Sequence, residues 1–341
     1  MQFIGIDAHK DTLVAAAVDS QGRPLDSRTF RNEAPGFVAL AGWASEISPA
    51  RIGIEGSGSL GRQASLALLR EGFEVVEVPP QLTALGRRHG RNQAKTDSID
   101  ALVIARTVLR DGDLPAVRPA GQIEDLRDLV HYRRELMAER NRLASRLHSD
   151  LEQLSPGYQA RIGKLTNKVQ LDRARRLLVA MSSARARLAG KRVLRLRELF
   201  AEVDEVTREL IGLARETAAA LTAITGVADL TAGEILAEVG NPRRYRTKAQ
   251  FAMANGTAPL PASSGRTNRH RLNRGGNRQL NRIIHFIALT QVSRDPEGRA
   301  YYLRKQAEGR TKKDALRCLK RRISDRLFQA LRTPLLARGL T

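Results

Sequence analysis

The chain has 341 residues, enough for two or three domains, and its 58 Lys and Arg against 36 Asp and Glu give a net charge of +22. This charge indicates a polyanionic partner, with nucleic acid as the first candidate, and a single cysteine excludes a disulfide framework or a cysteine-based zinc site within the chain. No apolar run approaches the ~18 residues of a membrane span, and the N-terminus lacks a signal-peptide pattern, so we expect a cytoplasmic protein without membrane contacts.

The first part of the chain alternates apolar strands with helices. FIGID and TLVAAAVDS predict two strands, and PGFVALAGWASEI then predicts a helix. RIGIEGSGS predicts a further strand, SLGRQASLALLREG a second helix, and FEVVEVPP a buried strand that the prolines end. Strands that alternate with helices predict an α/β domain around a central sheet.

From about Pro119 the pattern becomes helical. Residues 122–155 place leucine-type side chains at helical spacing, and residues 158–223 continue as a polar, Arg-rich helix. This arrangement predicts an antiparallel helical hairpin or a coiled coil, with a plain helical bundle as the alternative. From residue 221 onwards, short helical patterns surround Gly226 and a basic helical C-terminus follows.

The positive charge lies outside the first hundred residues. Residues 1–100 hold 11 Lys and Arg against 12 Asp and Glu, and the other 241 residues carry a net charge of +23. This asymmetry predicts chemistry in the N-terminal domain and contacts with a nucleic-acid backbone in the remainder.

Four acidic residues lie at the ends of the predicted N-terminal elements. Asp7 ends the first strand, Glu55 ends the strand RIGIE, and Asp97 and Asp100 open a helix in KTDSIDALVIAR. Functional groups collect at the carboxyl ends of strands in α/β sheets, so Asp7 and Glu55 would be close if their strands are neighbours. Four carboxylates repel one another unless a cation lies among them, and oxygen ligands suit Mg²⁺ or Mn²⁺. The pattern predicts a site where two such ions act on a phosphodiester.

Each of these features also has a structural interpretation. Asp97 can be an N-cap with Asp100 at the third helical position, because the positive end of a helix favours both carboxylates. His9 lies two residues after Asp7. It is either a support for a metal ligand or a solvent-exposed strand residue, and we favour the exposed strand residue.

The motifs IGIDAHK, IGIEGSGS and KTDSIDALVIAR resemble the three acidic motifs of the DEDD-type insertion-sequence transposases. That family includes the pilin-inverting recombinase and the bridge-RNA-guided recombinases. The stretch from TGVADLTAGEILAEVG to GGNRQLNR resembles the family's transposase domain, so the resemblance covers nearly the whole chain. It implies an RNase H-like domain, close to the RuvC junction resolvases, at residues 1–118, a helical coiled-coil linker or dimerisation segment at 119–220, and a basic, mainly helical transposase domain at 221–341.

The resemblance also implies the chemistry. The four acids would bind Mg²⁺, with Mn²⁺ possible, and a serine of the C-terminal domain would be the nucleophile on DNA. The family's serine precedes a glycine shortly after a G-x-x-P turn, and GTAPLPASSG matches this pattern at Ser264, with Ser263 beside it. The tripeptide SSG alone is typical of a flexible loop, so this assignment depends on the resemblance. The family's G-V-G turn is Gly226-Val227-Ala228 here, which weakens a phosphate contact at that turn.

A dense basic segment follows the two serines. Arginine favours bidentate contacts with phosphate, and no aromatic residue lies between residues 265 and 282 to stack on a base. We expect nucleic-acid contacts from Arg266, Arg269, His270, Arg271, Arg274, Arg278 and Arg282.

Together these features predict a DNA transposase or site-specific recombinase of an insertion sequence, with Mg²⁺-dependent strand cleavage and exchange through a serine–DNA intermediate. The expected partners are element-end and target DNA, a structured guide RNA and further copies of the chain, as a dimer or tetramer. One alternative is a metal-dependent junction-resolving endonuclease without a covalent intermediate. Another is a nucleic-acid-binding protein on a degenerate RNase H-like scaffold, although the presence of all four acids argues against it.

Overall fold

The computed structural model describes residues 1–80, 82–83, 97–118, 121–261, 270–273 and 275–332. Side chains are not described at residues 97, 216, 217, 243, 261 and 270–272. The chain forms two compact units, Met1–Ala120 and Gly121–Thr341. The division of the second part at residue 220 stays a prediction.

The first unit is built on a mixed five-stranded sheet. Its strands are β1 (Phe3–Ala8), β2 (Thr12–Val18), β3 (Pro24–Arg31), β4 (Arg51–Glu55) and β5 (Val75–Glu77). They lie in the order β3-β2-β1-β4-β5, with β1 antiparallel to β2 and parallel to β4. The predicted strands are all present. The edge strand β3 is additional, because its mostly exposed residues show no apolar pattern.

Helices cover both faces of this sheet, as the predicted α/β domain requires. They are α1 (Ala34–Ile47), α2 (Arg62–Arg70) and α3 (Asp97–Arg110). The isoleucines of β1 and β4 share a buried cluster with Leu40, Trp43 and Leu68 of α1 and α2. The helix α3 lies on the opposite face, where a Cβ added at Gly5 would be 2.1 Å from the backbone nitrogen of Ala105. Glycine at this position lets α3 approach the sheet at backbone distance.

The second unit begins with a long helical hairpin. Its arms are α4 (Gln122–Leu154) and α7 (Ala184–Thr217), and the short helices α5 (Gln159–Ile162) and α6 (Lys168–Val179) lie between them in the chain. Tyr132 bonds to Glu202, and Arg195 lies 3.2 Å from Glu139, so the partners run in opposite directions along the two arms. The predicted antiparallel hairpin is therefore confirmed.

The prediction of one continuous helix over residues 158–223 is wrong. Gly163 has a left-handed φ of 94°, which interrupts the helical path after α5. Asn167 and Ser183 are N-caps whose side chains accept hydrogen bonds from Gln170 and Ala186, so α6 and α7 each begin anew.

The remaining elements are mostly short helices around one core. They are α8 (Ala219–Thr222), α9 (Asp229–Val239), a 3₁₀ turn (Pro242–Arg244), α10 (Lys248–Ala254), β6 (Pro259–Pro261), β7 (His270–Leu272), α11 (Arg278–Arg294), α12 (Pro296–Ala307) and α13 (Lys312–Leu331). The ends of both hairpin arms contribute to this core through Leu126 and Leu210. The part of the chain after the sheet is thus mainly helical, as predicted. Among the helices described, none is both long and apolar enough to cross a lipid bilayer.

Candidate active site

Two of the predicted acidic residues are direct neighbours in the sheet. β1 and β4 pair in parallel with Gly5 opposite Gly53 and Asp7 opposite Glu55. Side chains that are opposite each other in a sheet project from the same face, at a Cβ separation of about 5 Å. The structure thus places two carboxylates side by side where β1 and β4 approach their carboxyl ends.

The helix α3 covers the same face of the sheet. Residues two apart in a strand share a face, so Asp7 and Glu55 project toward the side on which α3 packs over Gly5. Ala101 packs with Val14, the β2 partner of Asp7, whereas Val108 packs near Phe3 at the start of β1. The N-terminal end of α3 therefore lies over the strand ends that carry the two acids.

This orientation brings a third predicted acid toward the same edge. Asp100 precedes Ala101 and is buried, with 6% of its surface exposed. The described part of this helix starts at Asp97, so Asp100 lies in the first described turn, and the N-cap interpretation of Asp97 stays a prediction. The side chain of Asp97 lies outside the described part of the structure.

The two strand carboxylates already have polar neighbours. His9 Nε2 lies 3.3 Å from Asp7 Oδ2. His9 follows the last residue of β1, and 42% of its side chain is exposed, so the side chain is exposed as expected but lies just beyond the strand. On the other strand, the buried Thr83 hydroxyl lies 3.0 Å from Glu55 Oε2. The sequence carried no signal for Thr83, because this contact joins residues that are 28 positions apart.

Asn32 ties together the loops that follow the two carboxylate strands. Its Nδ2 donates to His9 O at 2.7 Å and to Leu60 O at 3.0 Å. Its backbone nitrogen donates to Asp11 O at 3.0 Å. His9 and Asp11 lie in the turn after β1, and Leu60 lies in the loop after β4. A residue at the end of β3 thus braces the edge that bears Asp7 and Glu55.

The donor set fits a hard divalent cation. Asp7, Glu55 and Asp100 offer carboxylate oxygens only, which are the ligands that Mg²⁺ and Mn²⁺ prefer. Only 15% of the Asp7 side chain is exposed, so a cation there would be partly shielded from water. Within the described residues, no three His, Cys, Asp or Glu side chains are grouped closely enough to hold a metal ion, so Asp7, Glu55 and Asp100 do not form a complete ligand set by themselves. Asp97, the fourth acid, is not among the side chains compared.

The predicted nucleophile and much of the basic segment fall outside the described residues. These are Ser263, Ser264, Arg266, Arg269 and Arg274. The strands β6 and β7, which flank residues 262–269 in the chain, pair in an antiparallel ladder from Pro259–Leu272 to Pro261–His270. For His270 and Arg271 the backbone alone is described, as part of β7.

Two predicted nucleic-acid contacts have exposed positions on α11. Arg278 and Arg282 lie one helical turn apart, and both are exposed. Neither forms an ion pair with another residue of the described chain. Phe286 follows one turn later on the same face, with 58% of its surface exposed. Phe286 lies beyond the basic segment 265–282, in which no aromatic residue is present. Its spacing of four residues from Arg282 could have indicated that the two side chains share a helix face.

A buried polar network joins the base of the β6–β7 hairpin to α11 and α13. Asn281 Nδ2 donates to Asn255 O at 2.9 Å, and Lys320 Nζ donates to Asn281 Oδ1 at 2.6 Å. Asn255 Nδ2 donates to Ser324 Oγ at 2.8 Å, and Thr257 Oγ1 donates to Asn255 Oδ1 at 2.6 Å. The strand that leads toward the two serines thus starts from a fixed position.

The cation in this network is unusual. Lys320 is 9% exposed, and no carboxylate of the described residues lies within ion-pair distance of its ammonium. Burial first, and the nearby Arg317 guanidinium second, lower the pKa of Lys320. A buried cation without an anionic partner is costly, because it loses its hydration; among the described residues, the Asn281 amide oxygen is the acceptor that replaces water.

Comparison with known proteins identifies related sequences over both units. A family model for DEDD-type IS110 transposases matches residues 4–156, and a model for transposases of the IS116/IS110/IS902 family matches residues 218–303. The chain is 29% identical to a 44.8 kDa protein of insertion element IS116 from Streptomyces clavuligerus, over 97% of this chain and 94% of the relative. It is 26% identical to a 43.6 kDa protein of insertion element IS110 from Streptomyces coelicolor, with the same two coverages.

Solved structures align with about a third of the chain. Thermus thermophilus RuvC in complex with a Holliday junction substrate aligns with 34% of this chain and 99% of its own, at 15% identity and a TM-score of 0.27. A further Thermus thermophilus RuvC structure aligns at 15% identity and a TM-score of 0.28.

Proposed function

Because the chain belongs to the DEDD-type IS110 family of transposases, and is therefore an enzyme that acts on DNA, we propose that it moves an insertion element by metal-dependent DNA cleavage and strand exchange through a serine–DNA intermediate. The observation that carries this proposal is the pairing of Asp7 with Glu55 under the end of α3 that holds Asp97 and Asp100. Neighbouring carboxylates on one sheet edge are what a divalent cation requires.

In this proposal Asp7, Glu55, Asp97 and Asp100 hold one or two divalent cations, with Mg²⁺ as the expected ion and Mn²⁺ as an alternative. A bound cation supplies charge neutralisation at the phosphodiester and lowers the pKa of an attacking hydroxyl. His9 and Asn32 keep the Asp7 side of the site in place, the first by its contact with the carboxylate and the second through the loops.

The nucleophile in this proposal is Ser264. Its Oγ attacks phosphorus, a new Oγ–P bond forms, and the bond from phosphorus to one sugar oxygen breaks. The serine proton passes to a base, and the departing sugar oxygen takes up a proton. Strand exchange is the reverse reaction with a hydroxyl of the second DNA partner, which restores the serine. A serine hydroxyl is a weak nucleophile at its ordinary pKa, so it needs the activation that a cation or base provides.

The partners follow from the same chemistry. Arg278 and Arg282 face outward on α11 and suit contacts with a phosphate backbone, and Arg266, Arg269, His270, Arg271 and Arg274 extend this basic segment. Exchange between an element end and a target requires at least two active sites, so we propose a dimer or tetramer. The family resemblance supports a structured guide RNA as the source of sequence specificity.

The second candidate is a junction-resolving endonuclease in which water replaces the serine. It would use the same carboxylates and the same basic surface. The two candidates differ in whether the protein becomes joined to DNA.

Covalent trapping distinguishes them. The full chain is incubated with labelled DNA that carries the ends of its element, with Mg²⁺ or Mn²⁺, and with or without RNA transcribed from the element's non-coding flanks. Products are separated on a denaturing gel for the wild type and for Ser264→Ala, Ser263→Ala and Asp97→Ala. The proposal predicts a protein–DNA adduct that Ser264→Ala and Asp97→Ala abolish and that Ser263→Ala retains.

Other results of the trapping experiment would change the assigned nucleophile, the reaction or the role of RNA. An adduct that only Ser263→Ala and Asp97→Ala abolish assigns the nucleophile to Ser263. Cleaved DNA without an adduct, together with cleavage by Ser264→Ala, establishes the hydrolytic nuclease instead. An adduct that forms without RNA shows that a guide is dispensable for cleavage.

A further inference from the structure

The Glu55 carboxylate contacts a side chain that lies outside β1 and β4. Thr83 is completely buried, at 0% exposure, and its Oγ1 lies 3.0 Å from Glu55 Oε2 and 2.9 Å from Pro80 O. The hydroxyl has one proton, and a carboxylate is a stronger acceptor than a peptide carbonyl. The geometry points to Thr83 as a positioning residue that holds one oxygen of Glu55 and leaves the other for the cation; this inference rests on the proposed metal site.

A glutamate at a metal site benefits from such a contact. Glu55 is the last residue of β4, and its side chain has more rotatable bonds than that of an aspartate. Ordering a free glutamate on metal binding costs conformational entropy in lost rotamers, and a hydrogen bond formed beforehand removes part of that cost. Residues that hydrogen-bond to metal ligands typically change metal affinity by about 10- to 100-fold.

If the Thr83 hydroxyl had a purely structural role, its removal would change metal affinity no more than the removal of another buried threonine hydroxyl. The chain has a second buried threonine, Thr107, which is 2% exposed and donates from Oγ1 to Val103 O at 2.8 Å. Both threonines are thus buried, and both have a backbone carbonyl partner close behind them in the chain. The contact of Thr83 with Glu55 distinguishes it from Thr107, which makes Thr107→Val a matched control.

The test measures metal binding to the full chain without DNA. Wild type, Thr83→Val, Thr83→Ser and Thr107→Val are titrated with Mn²⁺, and free Mn²⁺ is followed by its electron paramagnetic resonance signal. We expect Thr83→Val to weaken Mn²⁺ binding by about tenfold or more, and Thr83→Ser to remain within about threefold of the wild type. Thr107→Val should leave Mn²⁺ affinity unchanged, even though it loses a buried hydroxyl as well.

Two results would overturn the inference, and they can be told apart. If the wild type and Thr83→Val bind Mn²⁺ equally while Glu55→Gln does not bind it, the metal site stands and Thr83 has no positioning role. If the wild type and Glu55→Gln show the same affinity, the proposed metal site itself fails, and the inference fails with it. If Thr83→Val does not fold, Thr83→Ala replaces it, because it removes the hydroxyl without adding bulk. Its Mn²⁺ affinity is compared with that of the wild type in the same way.

Discussion

The close packing of α3 on the sheet makes a sharp prediction for Gly5→Ala. A Cβ at this position would lie 2.1 Å from Ala105 N and 2.3 Å from Ala101 O, and both are backbone atoms that cannot rotate away. Ordinary heavy-atom contacts begin near 3.5 Å, so α3 must retreat by more than 1 Å. A gap of that size removes much of the dispersion energy between Ala101, Ala105 and the strands. We expect Gly5→Ala to lower the free energy of unfolding by about 3 kcal/mol.

Replacing glycine by alanine should have the opposite effect on the free energy of unfolding at Gly42. This glycine lies in the interior of α1, is exposed, and has nothing within 4 Å of an added Cβ. Alanine is a better helix former than glycine, so Gly42→Ala should raise the free energy of unfolding by about 0.5–1 kcal/mol. The two variants together separate the effect of close packing from the general effect of replacing glycine.

The assay can report on the first unit alone. The chain has one tryptophan, Trp43, which is buried against the sheet in that unit. Urea unfolding followed by Trp43 fluorescence therefore gives the stability of the sheet unit. A free energy of unfolding for Gly5→Ala within about 0.5 kcal/mol of the wild type would show that α3 does not need a glycine at this contact. An equal loss in Gly42→Ala would show that replacing glycine, and not the close packing of α3, causes the effect.

Three further predictions concern the polar contacts and the basic helix. Asn32→Ala removes the donor to two loop carbonyls and should cost about 1–2 kcal/mol in the same fluorescence assay, and an unchanged midpoint would contradict the bracing role. Lys320→Met removes a buried cation whose pKa is lowered. In the wild type, the unfolded chain binds more protons than the folded one between the lowered pKa of Lys320 and the ordinary lysine pKa of about 10.4. The stability of the wild type relative to Lys320→Met should therefore rise as pH increases through that range. A pH-independent difference in urea midpoints would show that the ammonium titrates normally. The double variant Arg278→Ala/Arg282→Ala should lower the slope of log binding constant against log salt by about 2 on duplex DNA, whereas Arg197→Ala, which removes an arginine paired with Asp172, should leave the slope unchanged.

The positions of two acidic residues in the fold could be predicted from the sequence. Asp7 and Glu55 were placed at strand ends because an apolar run followed by an acid and a turn is typical of a buried strand that stops at an edge. Their exact pairing required the strand order, which periodicity does not contain. The parallel register of β1 and β4 supplied it.

The elements that sequence reasoning missed have physical explanations. β3 is an exposed edge strand whose alternation is not apolar, so it does not resemble a buried strand. The helix predicted over residues 158–223 breaks at Gly163 and restarts at the caps Asn167 and Ser183. Those two caps are recognisable helix starts that the dominant Arg-rich pattern concealed.

The contacts that support the site could not be predicted from the sequence. Asn32 and Thr83 belong to no motif, and each acts on a loop or carboxylate that is distant along the chain. A polar residue of this kind becomes informative only after the fold brings its partner close. The Lys320 network around Asn255 and Asn281 is a further case, because its members come from α13, α11 and the residue that follows α10.

We propose above all that a serine of this chain becomes joined to DNA and that this step depends on the carboxylate site. The most direct measurement is mass spectrometry of the trapped complex after digestion with nuclease and protease. We expect a nucleotide phosphate on the peptide that contains Ser264, and we expect it to be absent when the divalent cation is omitted or when Asp7 is replaced by Asn. Cleaved DNA with no nucleotide on any serine would contradict the claim.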